Sequence, residues 1–148
     1  MKRFRFQLDP VLDYKQQVLD SLLEELELAR GKVMAQEWEK EQADRRVTDF
    51  DADFAEKQAG GVTIMEMRQY QDCREVLVKR AQREQDKLTR FRRAEEKKRG
   101  EVVEARKETR SLEKLKDNRM GEYNAAIAKA EEKSLDDLIA TRRVNAAG

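Results

Sequence analysis

Apolar side chains recur along this chain in steps of three and four, and the pattern runs out, stops and runs back. With Leu12 set at heptad position a, the a and d sites of the first half read Leu12, Leu19, Leu22, Leu26, Ala29, Val33, Ala43, Val47, Phe50 and Phe54. With Met67 at a, those of the second half read Met67, Tyr70, Leu77, Ala81, Leu88, Phe91, Val102, Ala105 and Leu112. Such spacing marks a helix that buries one narrow stripe against another helix. Between the runs stands Gly60-Gly61, and glycine supplies the backbone freedom that reverses a chain. If the chain folds back there, residues whose numbers add to 124 face each other. Leu12 then meets Leu112, Leu19 meets Ala105, Leu22 meets Val102 and Val33 meets Phe91. Likewise Ala43 meets Ala81, Val47 meets Leu77 and Phe54 meets Tyr70. Every a residue meets a d residue, as an antiparallel two-stranded coiled coil requires. The pattern predicts an all-α fold of two long helices in an antiparallel coiled-coil hairpin, the second helix longer. Polar residues interrupt the seam at Lys40, Glu84, Glu95 and Lys98, with Lys40 expected opposite Glu84 and Lys98 opposite Leu26.

Local signals set the boundaries of a single hairpin over residues 1–148. Residues 1–8 alternate apolar and basic and read as a short extended arm. Asp9-Pro10 is a start signal, with Asp9 as N-cap and proline in the first turn, so helix 1 is expected over 9–58. The turn falls at 59–62. Thr63 and Glu66 have capping-box spacing and Val62 and Met67 staple spacing, which starts helix 2 at 63. Helix 2 is expected to reach 143, leaving 144–148 as a tail. By the pairing rule its partner is used up near Glu113–Lys116. Beyond that the apolar spacing lengthens through Met120, Tyr123, Ile127, Leu135 and Leu138, so the stripe drifts off the coiled-coil seam. Ser134-Leu135-Asp136-Asp137 reads as a fresh cap that bends or restarts the segment. Gly31, Gly100 and Gly121 sit inside the expected helices, each at a cost of about 1 kcal/mol against alanine.

Composition narrows the picture. Of 148 residues, 43% are charged and 39% hydrophobic, too few apolar groups for a round core but enough for the stripe of a hairpin. Thirty-two basic and 31 acidic residues leave a net charge of +1 with both signs interleaved, which argues against a nucleic-acid or lipid footprint on the whole body. Basic runs such as Arg90-Phe91-Arg92-Arg93 are broken by Glu95 and Glu96 and read as a solvated face. No apolar run approaches the roughly 20 residues of a membrane span, and no signal-peptide core follows Met1, so a cytoplasmic chain is expected. One cysteine, Cys73, rules out an internal disulfide and reads as an inert flanking residue.

The chain has no histidine, no glycine-rich phosphate loop and no nucleophile–base pairing, so it is read as a non-enzyme with no metal, cofactor or small-molecule substrate. Contact surfaces are the remaining candidates. Trp38 falls on the outer face of helix 1, and tryptophan is enriched at binding hot spots. Phe50, Tyr70 and Leu77 cluster with Phe54 near the reversal, where a thin tip cannot cover every aromatic ring. Phe4 and Phe6 either staple onto helix 2 or dock into a partner. Ile127, Leu135 and Leu138 form a stripe with no facing residue on helix 1.

Phe4-x-Phe6-x-Leu8-x-x-Val11-Leu12 resembles the opening of the flagellar FliJ proteins. Tyr70-Gln71 after the turn, Leu112-Glu113-Lys114-Leu115-Lys116, and Glu132-Lys133-x-Leu135-Asp136-Asp137 resemble that family in the same order, over almost the whole chain. The resemblance implies a small cytoplasmic component of the bacterial flagellar type III export apparatus, an antiparallel coiled coil like a rotary-ATPase stalk. It implies three partners: the export ATPase hexamer, the cytoplasmic domain of the membrane export gate, and export chaperones. It implies peripheral association with the inner face of the cell membrane at the flagellar base, in the service of motility and chemotaxis. The family's gate-contacting region maps near the tip, onto Phe50, Tyr70 and Leu77, with Cys73 where an aromatic is common. The terminal end is then the part that enters the ring. On its own the chain is expected to be a monomeric hairpin. Two other readings stand beside this one: a generic cytoplasmic coiled-coil scaffold or tether, and a helical nucleic-acid-binding protein, which the near-zero net charge disfavours.

Overall fold

The computed structural model describes residues 3–147. It holds two α-helices that pack against each other, α1 (Asp9–Ala59) and α2 (Ile64–Ala147), with no strand among the described residues. The longer second helix agrees with the seam pattern. Helix α2 runs past the expected end at 143 to Ala147, and it passes Ser134 without a break. With no proline or glycine there, adding a residue to an existing helix is favoured over nucleating a new one.

The reversal lies at the two glycines. The Gly60 and Gly61 amides donate to the Lys57 and Gln58 carbonyls at 3.1 Å each, tightening the last turn of α1. Gly61 takes φ = 92°, a region costly for any residue with a Cβ. Thr63 then caps α2: its Oγ1 accepts from the Glu66 amide at 3.2 Å. The start of α1 differs from expectation. The Leu8 carbonyl accepts the first helical bond, from the Leu12 amide at 2.8 Å, so Asp9 lies one step inside. Its carboxylate turns away from capping and pairs with Lys116 at 2.8 Å, a cation the sequence could not place beside it.

The contacts divide into two compact units. One comprises the N-terminal segment through Leu19 together with the chain from Glu104 onward. Its core is Phe6, Leu12 and Ala105, with Thr109 buried among them and donating to its own helix at the Ala105 carbonyl, 2.9 Å away. Cross-helix pairs Lys15–Glu108 at 2.7 Å and Asp9–Lys116 at 2.8 Å fall within one residue of the predicted register. The other unit, Asp20–Val103, buries Leu26, Val33, Ala43, Leu88 and Val102. There Phe54 stacks on Tyr70 at 3.8 Å, Arg30 approaches Glu95 at 3.9 Å and Lys98 meets Glu25 at 2.7 Å, all in the same register.

Two polar layers are arranged otherwise than expected. Lys40 does not meet Glu84 but folds along its own helix to Asp44 at 3.5 Å, because a long flexible stem reaches solvent more cheaply than it stays in the seam. Gln36 takes the position instead. It is buried, and its amide donates to the Glu84 carbonyl at 3.0 Å and to the Glu84 carboxylate. Lys98 reaches past Leu26 to Glu25 and Glu101.

Candidate functional site

The two ends of the seam pattern give different kinds of surface. In the Asp20–Val103 unit, Tyr70 lies parallel to both Phe54 and Phe50, with ring centroids 3.8 and 5.2 Å away. All three rings are half-buried. The Tyr70 hydroxyl donates to Asp51, and the Arg74 guanidinium donates to the same carboxylate at 3.0 Å. The Tyr70 hydroxyl first, and then Arg74, hold the Asp51 carboxyl below its ordinary value of 3.8. The same bond pushes the Tyr70 phenol up, since losing its proton would place two anions together. This group fixes the aromatic stack and leaves a shallow groove of about 470 Å³ lined by Phe50, Phe54, Tyr70 and Cys73. Leu77 is half-buried in the adjoining layer, and the Cys73 thiol is exposed.

Further along α1 in that unit, Trp38 is 58% exposed, beside Met34 at 70%. Leu28, also at 70%, completes an uncovered cluster that the heptad pattern does not mark. Its signal was present: three large apolar residues within eleven positions, none at a or d.

In the other unit the arm packs on α2. Phe4 lies 5.5 Å from Tyr123 with rings tilted by 47°, and it is half-buried. Phe6 is 7% exposed, so this candidate belongs to the core and offers a partner no face. Ile127 is half-buried, whereas Leu135 and Leu138 are exposed at 58% and 54%, next to exposed Ile139. The three stripe residues are therefore not equivalent: Ile127 is half-buried and the two leucines are mostly exposed.

Charge is less evenly spread than the interleaved sequence suggests. Helix α1 carries fourteen acidic and seven basic residues, and α2 seventeen acidic and twenty-two basic. With Lys2, Arg3 and Arg5 these leave the net +1. The near-neutral total hides an acidic first helix and a basic second one, which only a split by element reveals. Cross-helix ion pairs follow from it, including Lys15–Glu108, Lys98–Glu25 and Arg92–Glu37. Glu108, Glu25 and Asp9 push Lys15, Lys98 and Lys116 above the ordinary lysine value of 10.5.

Among the described residues no cluster of three or more carboxylates or thiols could hold a metal ion. Nor is any helix among the described residues long and apolar enough to cross a membrane. Two packed helices with apolar side chains left exposed in separate places define a helical hairpin. The chain belongs to the flagellar FliJ protein family, whose model matches residues 4–148. That family is a non-catalytic component of the flagellar protein export apparatus, and the chain is accordingly a flagellar export component. No curated protein and no solved structure matches the chain.

Proposed function

We propose that the chain serves as the central stalk of the export ATPase ring, joining it to the cytoplasmic domain of the export gate and to export chaperones. It carries out no chemistry of its own; it binds, and the partner's ATP cycle supplies the work. Its place is then cytoplasmic, held peripherally at the inner membrane face of the flagellar base. The observation that carries this reading is the end of α2. Leu135, Leu138 and Ile139 stand exposed along its last turns. A helix with an uncovered apolar stripe gains about 1.5–3 kcal/mol for each large side chain it buries in a groove or pore. The aromatic groove at Phe50, Phe54 and Tyr70 is the candidate for the export gate.

The test is stimulation of ATP hydrolysis by the export ATPase. Leu135→Ser with Leu138→Ser is expected to abolish stimulation and impair motility while leaving thermal melting of the chain unchanged. Ile127 is kept, since its partial burial would mix stability with binding. Normal stimulation by the double variant would move the ring contact elsewhere, with the groove at Tyr70 as the next candidate.

A further inference from the structure

Leu28, Gly31, Met34, Ala35 and Trp38 lie within about 120° of the α1 circumference, on the side opposite the seam. Leu28, Met34 and Trp38 are mostly exposed. Gly31 lies among them, and a Cβ built there would meet nothing within 4 Å. The chain's own packing therefore does not require a glycine, though it costs about 1 kcal/mol within a helix. The flat, small-residue floor between three large apolar side chains is shaped for the close approach of a second helix. The rim is mostly acidic. Asp20, Glu24 and Glu39 make no ion pair among the described residues. Glu27 is only 3.8 Å from Arg30, which also leans toward Glu95, and Lys40 is engaged by Asp44. Lys32 is the basic exception: it stands one turn from Leu28, and the two line a groove with Phe91.

From this charge complementarity we infer that the Leu28–Met34–Trp38 face is a docking surface for a basic amphipathic helix of a partner protein. Apolar residues of that helix sit over Gly31 and Ala35, and its lysines or arginines meet Asp20, Glu24 and Glu39. The inference does not depend on the stalk reading, because neither Leu135 nor the aromatic groove takes part.

Trp38 is the chain's one tryptophan, so its emission reports directly on this face. The probe is a tryptophan-free helical peptide of leucine and lysine, titrated into the full-length chain. The expected result is a saturable blue shift that weakens as salt rises. Leu28→Ser with Met34→Ser should weaken binding by at least about tenfold, since two side chains of burial are lost. Both positions face solvent, so circular dichroism should report an unchanged fold. Glu24→Lys with Glu39→Lys should weaken binding as well, and a leucine–glutamate peptide should give no shift. The inference fails if the lysine peptide gives no shift, or if the serine variant binds as wild type. It also fails if the glutamate peptide binds equally. A blue shift that grows with protein concentration alone would assign the face to a second copy of the chain and overturn the proposal.

Discussion

Gly61 and Gly60 are adjacent and chemically identical, yet they hold different obligations. Gly61 sits at φ = 92°, whereas a Cβ on Gly60 would only reach ordinary contact with the Lys57 carbonyl at 3.6 Å. Gly61→Ala should therefore destabilise the hairpin by about 1–2 kcal/mol, the cost of forcing an L-residue into left-handed backbone. Gly60→Ala should be close to neutral. Chemical denaturation of the two variants checks this, and equal effects would show that the strain is shared across the turn. Phe6 and Phe4 divide in the same way. Phe6→Ala removes a core ring and should cost about 3 kcal/mol, while Phe4→Ala loses one half-buried aromatic contact worth about 1 kcal/mol. The charged pairs predict a modest pH response with two signs. Asp51 has a depressed folded pKa, so its contribution is full above the unfolded value near 3.8 and is lost as pH falls through and below it. Lys15, Lys98 and Lys116 are raised above 10.5, so theirs is full below that value and is lost as pH rises past it. Melting temperature should be flat from about pH 5 to 9 and fall on either side. Tyr70→Phe should make the acid limb shallower, because Asp51 then loses its main partner.

At the scale of the helices, the seam was readable because its two halves share one period and one turn. A single sum of residue numbers aligns Phe54 with Tyr70, as the structure does, and brings Arg30 within one residue of its partner Glu95. Cysteines at Leu22 and Val102 in a Cys73→Ser background should accordingly crosslink within one chain, and crosslinks only between chains would contradict the hairpin. What the seam pattern did not reveal has a common cause: it depends on which polar group finds which partner. Gln36 lay at a d position but was not read as core, since a glutamine is buried only if something satisfies its amide, here Glu84. Asp9 was read as a cap because local spacing hides Lys116 across the hairpin. Gln36 also gives the seam a way to reject other registers, as a buried polar residue can. Gln36→Leu should raise the melting temperature or leave it unchanged, while making the Leu22–Val102 crosslink less selective. A loss of about 2 kcal/mol or more would mean that the bond to Glu84 stabilises the fold outright.

Across the whole chain, cover is unequal, and the candidate surfaces follow that inequality rather than sequence order. Phe6, which the sequence leaves open to a staple or a docking role, is core, while Leu28 and Met34, outside the seam pattern, are mostly exposed. Burial is a property of what lies opposite, and one helix's sequence states it only where the partner is already known. The last stretch of α2 is the extreme case: every described residue after Ile127 is exposed. Its helix then rests on propensity alone, and isolated helices of roughly this length are marginal in water. Amide hydrogen exchange should separate the two regimes. Amides around Val33, Leu88 and Val102 should be strongly protected in the free chain, and those of 129–147 only weakly. Adding the export ATPase should then slow exchange over 129–147, because docking the Leu135–Leu138 stripe stops that helix from opening. Strong protection of 129–147 in the free chain would mean that something already covers it, a second copy being the first suspect. Protection gained instead around Phe50, Tyr70 and Leu77, with 129–147 unchanged, would put the ring at the aromatic groove and withdraw the terminal stripe from the stalk's working surface.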